Sequence, residues 1–103
     1  MDRFNVGKIS DFAPDAMTSV QAGEQEILLI QQGGVFYALP NQCTHAKFPL
    51  DDGELLDGKV KCKYHGATYD LETGKPTMPA IKKIRLFDVE VENGEVFVTV
   101  QTA

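Results

Sequence analysis

The sequence predicts an all-β chain, an antiparallel β-sandwich or small barrel, on three observations. Near the C-terminus, Phe87-Asp88-Val89-Glu90-Val91 alternates apolar and polar residues, Asn93-Gly94 follows, and Val96, Val98 and Val100 resume the alternation. A period of two on both sides of Asn-Gly is the strongest short-range signature of a β-hairpin. Short apolar stretches separated by turn-forming residues recur along the rest of the chain, and no long stripe at helical spacing competes with them.

Each element can be justified in order. Phe4, Val6 and Ile9 open an extended segment, and Asp11 to Met17, with Pro14, reads as a polar connection with room for one helical turn. Glu26 to Ile30 is a short apolar strand, and Gly33-Gly34 is a hairpin turn leading into Val35 to Leu39. Leu55 to Lys61 reads as strand, Asp57-Gly58 turn, strand. Tyr64 to Leu71 forms a turn and a further strand, closed by Glu72-Thr73-Gly74-Lys75-Pro76. Pro40, Pro49, Pro76 and Pro79 are expected between strands, where a missing N–H costs no ladder hydrogen bond.

The length of 103 residues fits one domain, taken as residues 1–103, with a single modest core. Hydrophobic residues at 43% and charged residues at 24% are ordinary for a globular chain. Ile27 to Ile30, the longest strongly apolar run, is far too short to span a bilayer. No basic-then-apolar leader is seen, so the expected compartment is the cytoplasm. A net charge of −5 disfavours nucleic acid as a partner. Lys47, Lys59, Lys61, Lys63 and Lys75 gather near the cysteines and histidines, as a solvated surface or as a docking surface for a partner.

The chain holds two cysteines and two histidines, arranged as Cys43-Thr44-His45, sixteen residues, then Cys62-Lys63-Tyr64-His65. With no export signal, a structural disulfide is disfavoured. Two compact pairs of thiolate and imidazole suit zinc, copper or iron–sulfur chemistry and not calcium or magnesium. Buried apolar cysteines with unrelated histidines would be the plain alternative. A zinc site is another, although zinc modules usually set their cysteines in one knuckle and their histidines in the other, whereas this order interleaves them. A cluster with two cysteines on one iron and two histidines on the other needs one of each per loop.

C-x-H, sixteen residues and C-x-x-H-G, over Cys43 to Gly66, resembles the Rieske 2Fe–2S family, and the likeness extends from the strands at Ile27 to Leu39 through the final hairpin. It implies a Rieske-like antiparallel β-fold with a cluster-binding subdomain of two loops, at about 43–49 and 62–70. It further implies one 2Fe–2S cluster, with Cys43 and Cys62 on the buried iron and His45 and His65 on the outer iron. Respiratory members carry a further cysteine in each loop, and the matching positions here, Lys47 and Tyr64, cannot form that bridge. The resemblance is closest to soluble ferredoxins serving ring-hydroxylating oxygenases.

Two neighbouring positions bear on potential. Respiratory relatives place a serine and a tyrosine where this chain has Ala67 and Tyr69, each donating toward a sulfur of the cluster. Retaining one donor and losing the other implies a potential in the lower half of the Rieske range, about −150 to +300 mV. The other reading of Tyr69 is a half-buried strand aromatic. Ala46, Phe48, Pro49, Tyr64, Met78 and Pro79 are candidates for the docking surface or for cover over the cluster.

No histidine remains for a second, mononuclear iron site, and no G-x-G-x-x-G fingerprint is present for a nucleotide. The expectation is therefore a monomeric one-electron carrier, not an enzyme, between a reductase and a terminal oxygenase. The alternative is a tightly bound small subunit of a larger oxidoreductase acting on nitrite or arsenite.

Overall fold

Among the described residues there are three antiparallel sheets of three strands each, and the middle one carries a core on either face. The structure is a computed structural model describing residues 2–42, 49–63, 66–77 and 83–100. In chain order the strands are β1 (Asp2–Lys8), β2 (Ala16–Ala22), β3 (Gln25–Gln32), β4 (Val35–Pro40), β5 (Glu54–Leu56), β6 (Lys59–Lys61), β7 (Thr68–Asp70), β8 (Asp88–Glu92) and β9 (Glu95–Val100). The sheets are β1-β9-β8, β2-β3-β4 and β5-β6-β7.

The run Ile27-Leu28-Leu29-Ile30 lies at the centre of this plan. All four side chains are buried, which a strand achieves only when both of its faces are covered. Leu28 and Ile30 pack with Leu39, Leu50, Val60, Cys62, Tyr69 and Leu71 toward the β5-β6-β7 sheet. Ile27 and Leu29 pack with Phe12, Ala38, Phe87, Val96, Val98 and Val100 toward the β1-β9-β8 sheet. The absence of alternation in β3 is thus a consequence of its central place.

The predicted hairpins stand where expected. Asn93 and Gly94 have φ of 52° and 77°, the pair of left-handed residues that a tight two-residue turn requires. Three readings need correction. The single helical turn is a 3-10 turn at Ile9–Asp11, just ahead of the expected connection, with Asp11 Oδ2 accepting the Lys8 N–H at 2.9 Å. β2 was not foreseen, because its apolar residues other than Ala22 are only half-buried on an edge strand. Pro40 ends β4 and does not fall between strands, a position open to proline on a sheet edge. Pro76 forms an isolated bridge with Tyr69, and Pro79 lies outside the described residues.

One side chain ties the small sheet to the middle one. The Gln32 amide donates from Nε2 to the Leu56 carbonyl at 2.8 Å, and its Oε1 accepts the Gly58 N–H at 2.8 Å. Both ends of the β5–β6 turn are thereby held to β3. Gln32→Ala leaves two part-buried backbone groups without these partners and should cost about 1–3 kcal/mol, read from urea unfolding. A midpoint equal to that of the wild type would show that the sheets are held by packing alone.

Candidate metal centre

Of the four predicted ligands the described residues include Cys62; Cys43, His45 and His65 lie outside them. The same holds for Ala46, Lys47, Phe48, Tyr64, Met78 and Pro79. What the structure does describe is how the stems flanking these segments are rooted, and three of them, at Gly53, at Cys62 and at Thr77, come to one end of the small sheet.

Glu54, Lys61 and Thr68 face one another across β5, β6 and β7, so Gly53, Cys62 and Ala67 stand side by side just beyond the strand ends. Cys62 follows β6 directly and is fully buried at the edge of the core. Its N–H donates to the Ala67 carbonyl at 2.7 Å, and the Gly66 N–H donates to the Cys62 carbonyl at 3.2 Å. Gly66 supplies the positive φ of 73° that reverses the chain there. The second loop predicted at 62–70 is therefore shorter, because its last three residues are strand β7.

The approach from the first segment is close. The Gly53 N–H donates to the Leu50 carbonyl at 2.9 Å, and a Cβ at Gly53 would collide with the Lys61 carbonyl oxygen. Only glycine lets this backbone lie against β6. A cavity of about 250 Å³ opens beside these strands, lined by Asp52, Gly53, Glu54, Lys61, Cys62 and Lys63.

A third stem reaches the same end. Thr77 sits against Thr68, its N–H donating to the Thr68 carbonyl at 2.8 Å and its Oγ1 accepting the Thr68 N–H at 2.8 Å. The two hydroxyls are 3.0 Å apart, a further hydrogen bond between them. Asp70 organises the preceding turn, with Oδ1 accepting the N–H groups of Glu72 at 2.8 Å and Thr73 at 3.1 Å. Those donors hold its carboxyl below the usual carboxylate range. Nothing in the sequence marked the two threonines, since their partnership depends on a bend that only the fold provides.

Tyr69 is fully buried, opposite Val60 and within the same core as Cys62, Leu28, Ile30 and Leu39. The half-buried alternative is thus replaced by a phenol wholly inside the protein, where its O–H needs a partner. Ala67 is also fully buried and its side chain offers no donor. The exposed lysines of β6 are matched across the strands, Lys59 by Asp70 and Lys61 by Glu54.

Donor chemistry at this end fits a soft metal centre. Cys62 is disulfide-bonded in this structure and once reduced would supply a thiolate from an apolar wall; its backbone N–H is already satisfied, and the neighbouring stems converge without a bulky side chain at Gly53 or Ala67. Among the described residues no helix is long and apolar enough to cross a membrane.

Comparison with known proteins agrees with this arrangement. The family profile described as the Rieske [2Fe-2S] domain matches residues 2–97. The biphenyl 2,3-dioxygenase ferredoxin component of Rhodococcus jostii (strain RHA1) is 36% identical over 92 residues, covering 88% of this chain and 86% of that one. The human apoptosis-inducing factor 3 is 33% identical over 91 residues, 87% of this chain, which spans only 15% of that longer protein. Among solved structures, a complex of reduced oxygenase and oxidized ferredoxin in carbazole 1,9a-dioxygenase aligns with a TM-score of 0.86 and 32% identity, over 93% of this chain and 91% of its counterpart.

Proposed function

Because the chain belongs to the Rieske [2Fe-2S] domain family, we propose that it carries one electron on a single 2Fe–2S cluster from a reductase to a terminal oxygenase. Cys43 and Cys62 would hold one iron of this cluster, and His45 and His65 would hold the other. The observation that supports it most directly is the convergence on Cys62 of three stems, two of which flank the segments bearing the other ligands. The likeness to a dioxygenase ferredoxin component, at 36% identity over 88% of this chain, favours the carrier reading over a subunit of a nitrite or arsenite oxidoreductase. The carrier is a monomer and works in the cytoplasm, where thiols stay reduced and available to iron.

When bound, the cluster supplies a one-electron acceptor of nearly neutral core charge, since two ferric ions balance two sulfides and two thiolates. The chain's part is to keep water from the inner sulfur atoms and to set the potential. Tyr69 is fully buried in the same core as Cys62, and a hydroxyl donating to a cluster sulfur would stabilise the reduced state. Tyr69→Phe should lower the midpoint potential by up to about 60–130 mV, because a hydrogen bond to a charged group is worth about 1.5–3 kcal/mol and a one-electron shift of 59 mV is tenfold, or about 1.4 kcal/mol. A midpoint that stays put would remove Tyr69 from the set of tuning residues.

The decisive experiment is metal analysis with visible and EPR spectroscopy of freshly purified protein. Two irons and two sulfides per chain with a mixed-ligand signal support the proposal. Stoichiometric zinc without sulfide refutes it.

A further inference from the structure

We infer that Asn41 is a positioning residue that fixes the first ligand segment by closing its two stems onto the middle sheet. It is 8% exposed and, apart from the Tyr69 phenol and the Cys62 sulfur, the only buried polar or charged side chain among the described residues. Its Nδ2 donates to Glu26 Oε2 at 2.6 Å, and its Oδ1 accepts the Asp51 N–H at 2.9 Å. Its own N–H donates to the Glu26 carbonyl at 3.3 Å. One amide therefore joins residue 41, residue 51 and β3, and uses both ends of its side chain to do so.

The arrangement is specific to asparagine at this place. Glu26 Oε2 also accepts the Ser19 hydroxyl at 2.9 Å, so the carboxylate is fixed between β2 and the stem. The Asn41 donor, and after it Ser19, hold the Glu26 carboxyl below its usual range. On either side of Asp51 the chain is held again, through buried Leu50 and the Gly53 N–H on its carbonyl at 2.9 Å. Cys43 and His45 lie between these stems in sequence, whereas Cys62 is rooted in the other sheet. The distance across a cluster shared by the two segments is then set by how rigidly Asn41 holds the first one to β3. This rests on the proposed ligand role of Cys43 and His45.

The test compares Asn41→Ala, Asn41→Asp and Val98→Ala with the wild type, all as cluster-loaded full chains. Val98 lies in the other core and lowers stability without touching the stems. For Asn41→Ala we expect shifted and broadened EPR g values and release of iron to a chelator about tenfold faster, the loss typical of removing an outer partner of a ligand. Asn41→Asp keeps an acceptor for the Asp51 N–H but sets a carboxylate against Glu26, and should fall on the same side with a smaller change. It also serves if the alanine variant does not fold. Val98→Ala should keep wild-type g values at a reduced unfolding midpoint.

Wild-type g values in either Asn41 variant would overturn the inference. So would the same change in Val98→Ala, since general destabilisation would then suffice. If the wild type assembles no 2Fe–2S cluster, the reading of the ligands fails and this inference with it, an outcome distinct from a loaded wild type beside unchanged variants.

Discussion

A Cys62→Ala variant is expected to accumulate as a colourless protein with less than about a tenth of the wild-type iron and sulfide, since loss of a ligand removes far more affinity than loss of an outer partner. The site offers little that could substitute. Cys62 is fully buried against Leu28, Ile30, Leu39 and Tyr69, so no water-borne ligand reaches its place without disturbing that core. The β-sheet signal in far-UV circular dichroism should survive, because the change removes one sulfur from a core otherwise filled by Leu28, Ile30, Leu39, Leu50, Val60 and Tyr69. Iron and acid-labile sulfide assays read the result. Full iron content with an unchanged visible spectrum would exclude Cys62 as a ligand.

The second large effect is expected at Gly74, where alanine should cost about 2–4 kcal/mol and lower the thermal midpoint by roughly 10–20 °C. Two causes add. The residue has a φ of 77°, which costs an L side chain about 1–2 kcal/mol, and an added Cβ would collide with the Ile84 carbonyl oxygen. Neither backbone can retreat, since Ile84 donates its N–H to the Gly74 carbonyl at 2.9 Å and Gly74 donates to the Asp70 carbonyl at 2.8 Å. Gly34 is the natural comparison, with a φ of 80° and open space around its missing Cβ. Gly34→Ala should show only the conformational part, about 1 kcal/mol. Equal losses at the two positions, by urea titration, would show that the contact with Ile84 contributes nothing.

What could be read from the sequence follows from how local each determinant is. The β8–β9 hairpin was legible because Asn93-Gly94 and the alternating valines act within a dozen residues. Ile27 to Ile30 was legible as a strand but not as the middle of three sheets, since a continuous apolar run does not say what lies on each side. β2 was missed because Met17 and Val20 cover an edge only partly. At the centre, the paired order of cysteines and histidines carried the chemistry on its own. Gln32, Asn41, Thr68 and Thr77 could not be found that way. Each joins positions 9 to 26 residues apart, and a side-chain amide or hydroxyl has no signature until the fold supplies its partner.

Because β3 lends alternate residues to both cores, it cannot be released from one without being lost to the other. The two halves of the protein are therefore expected to melt as one cooperative unit, and an opening that releases β3 from the Cys62 core to cost nearly as much as global unfolding. For a redox carrier this has a kinetic meaning. A bound cluster would be guarded less by the strength of its own bonds than by the rarity with which the whole molecule opens, so its lifetime would follow the unfolding rate.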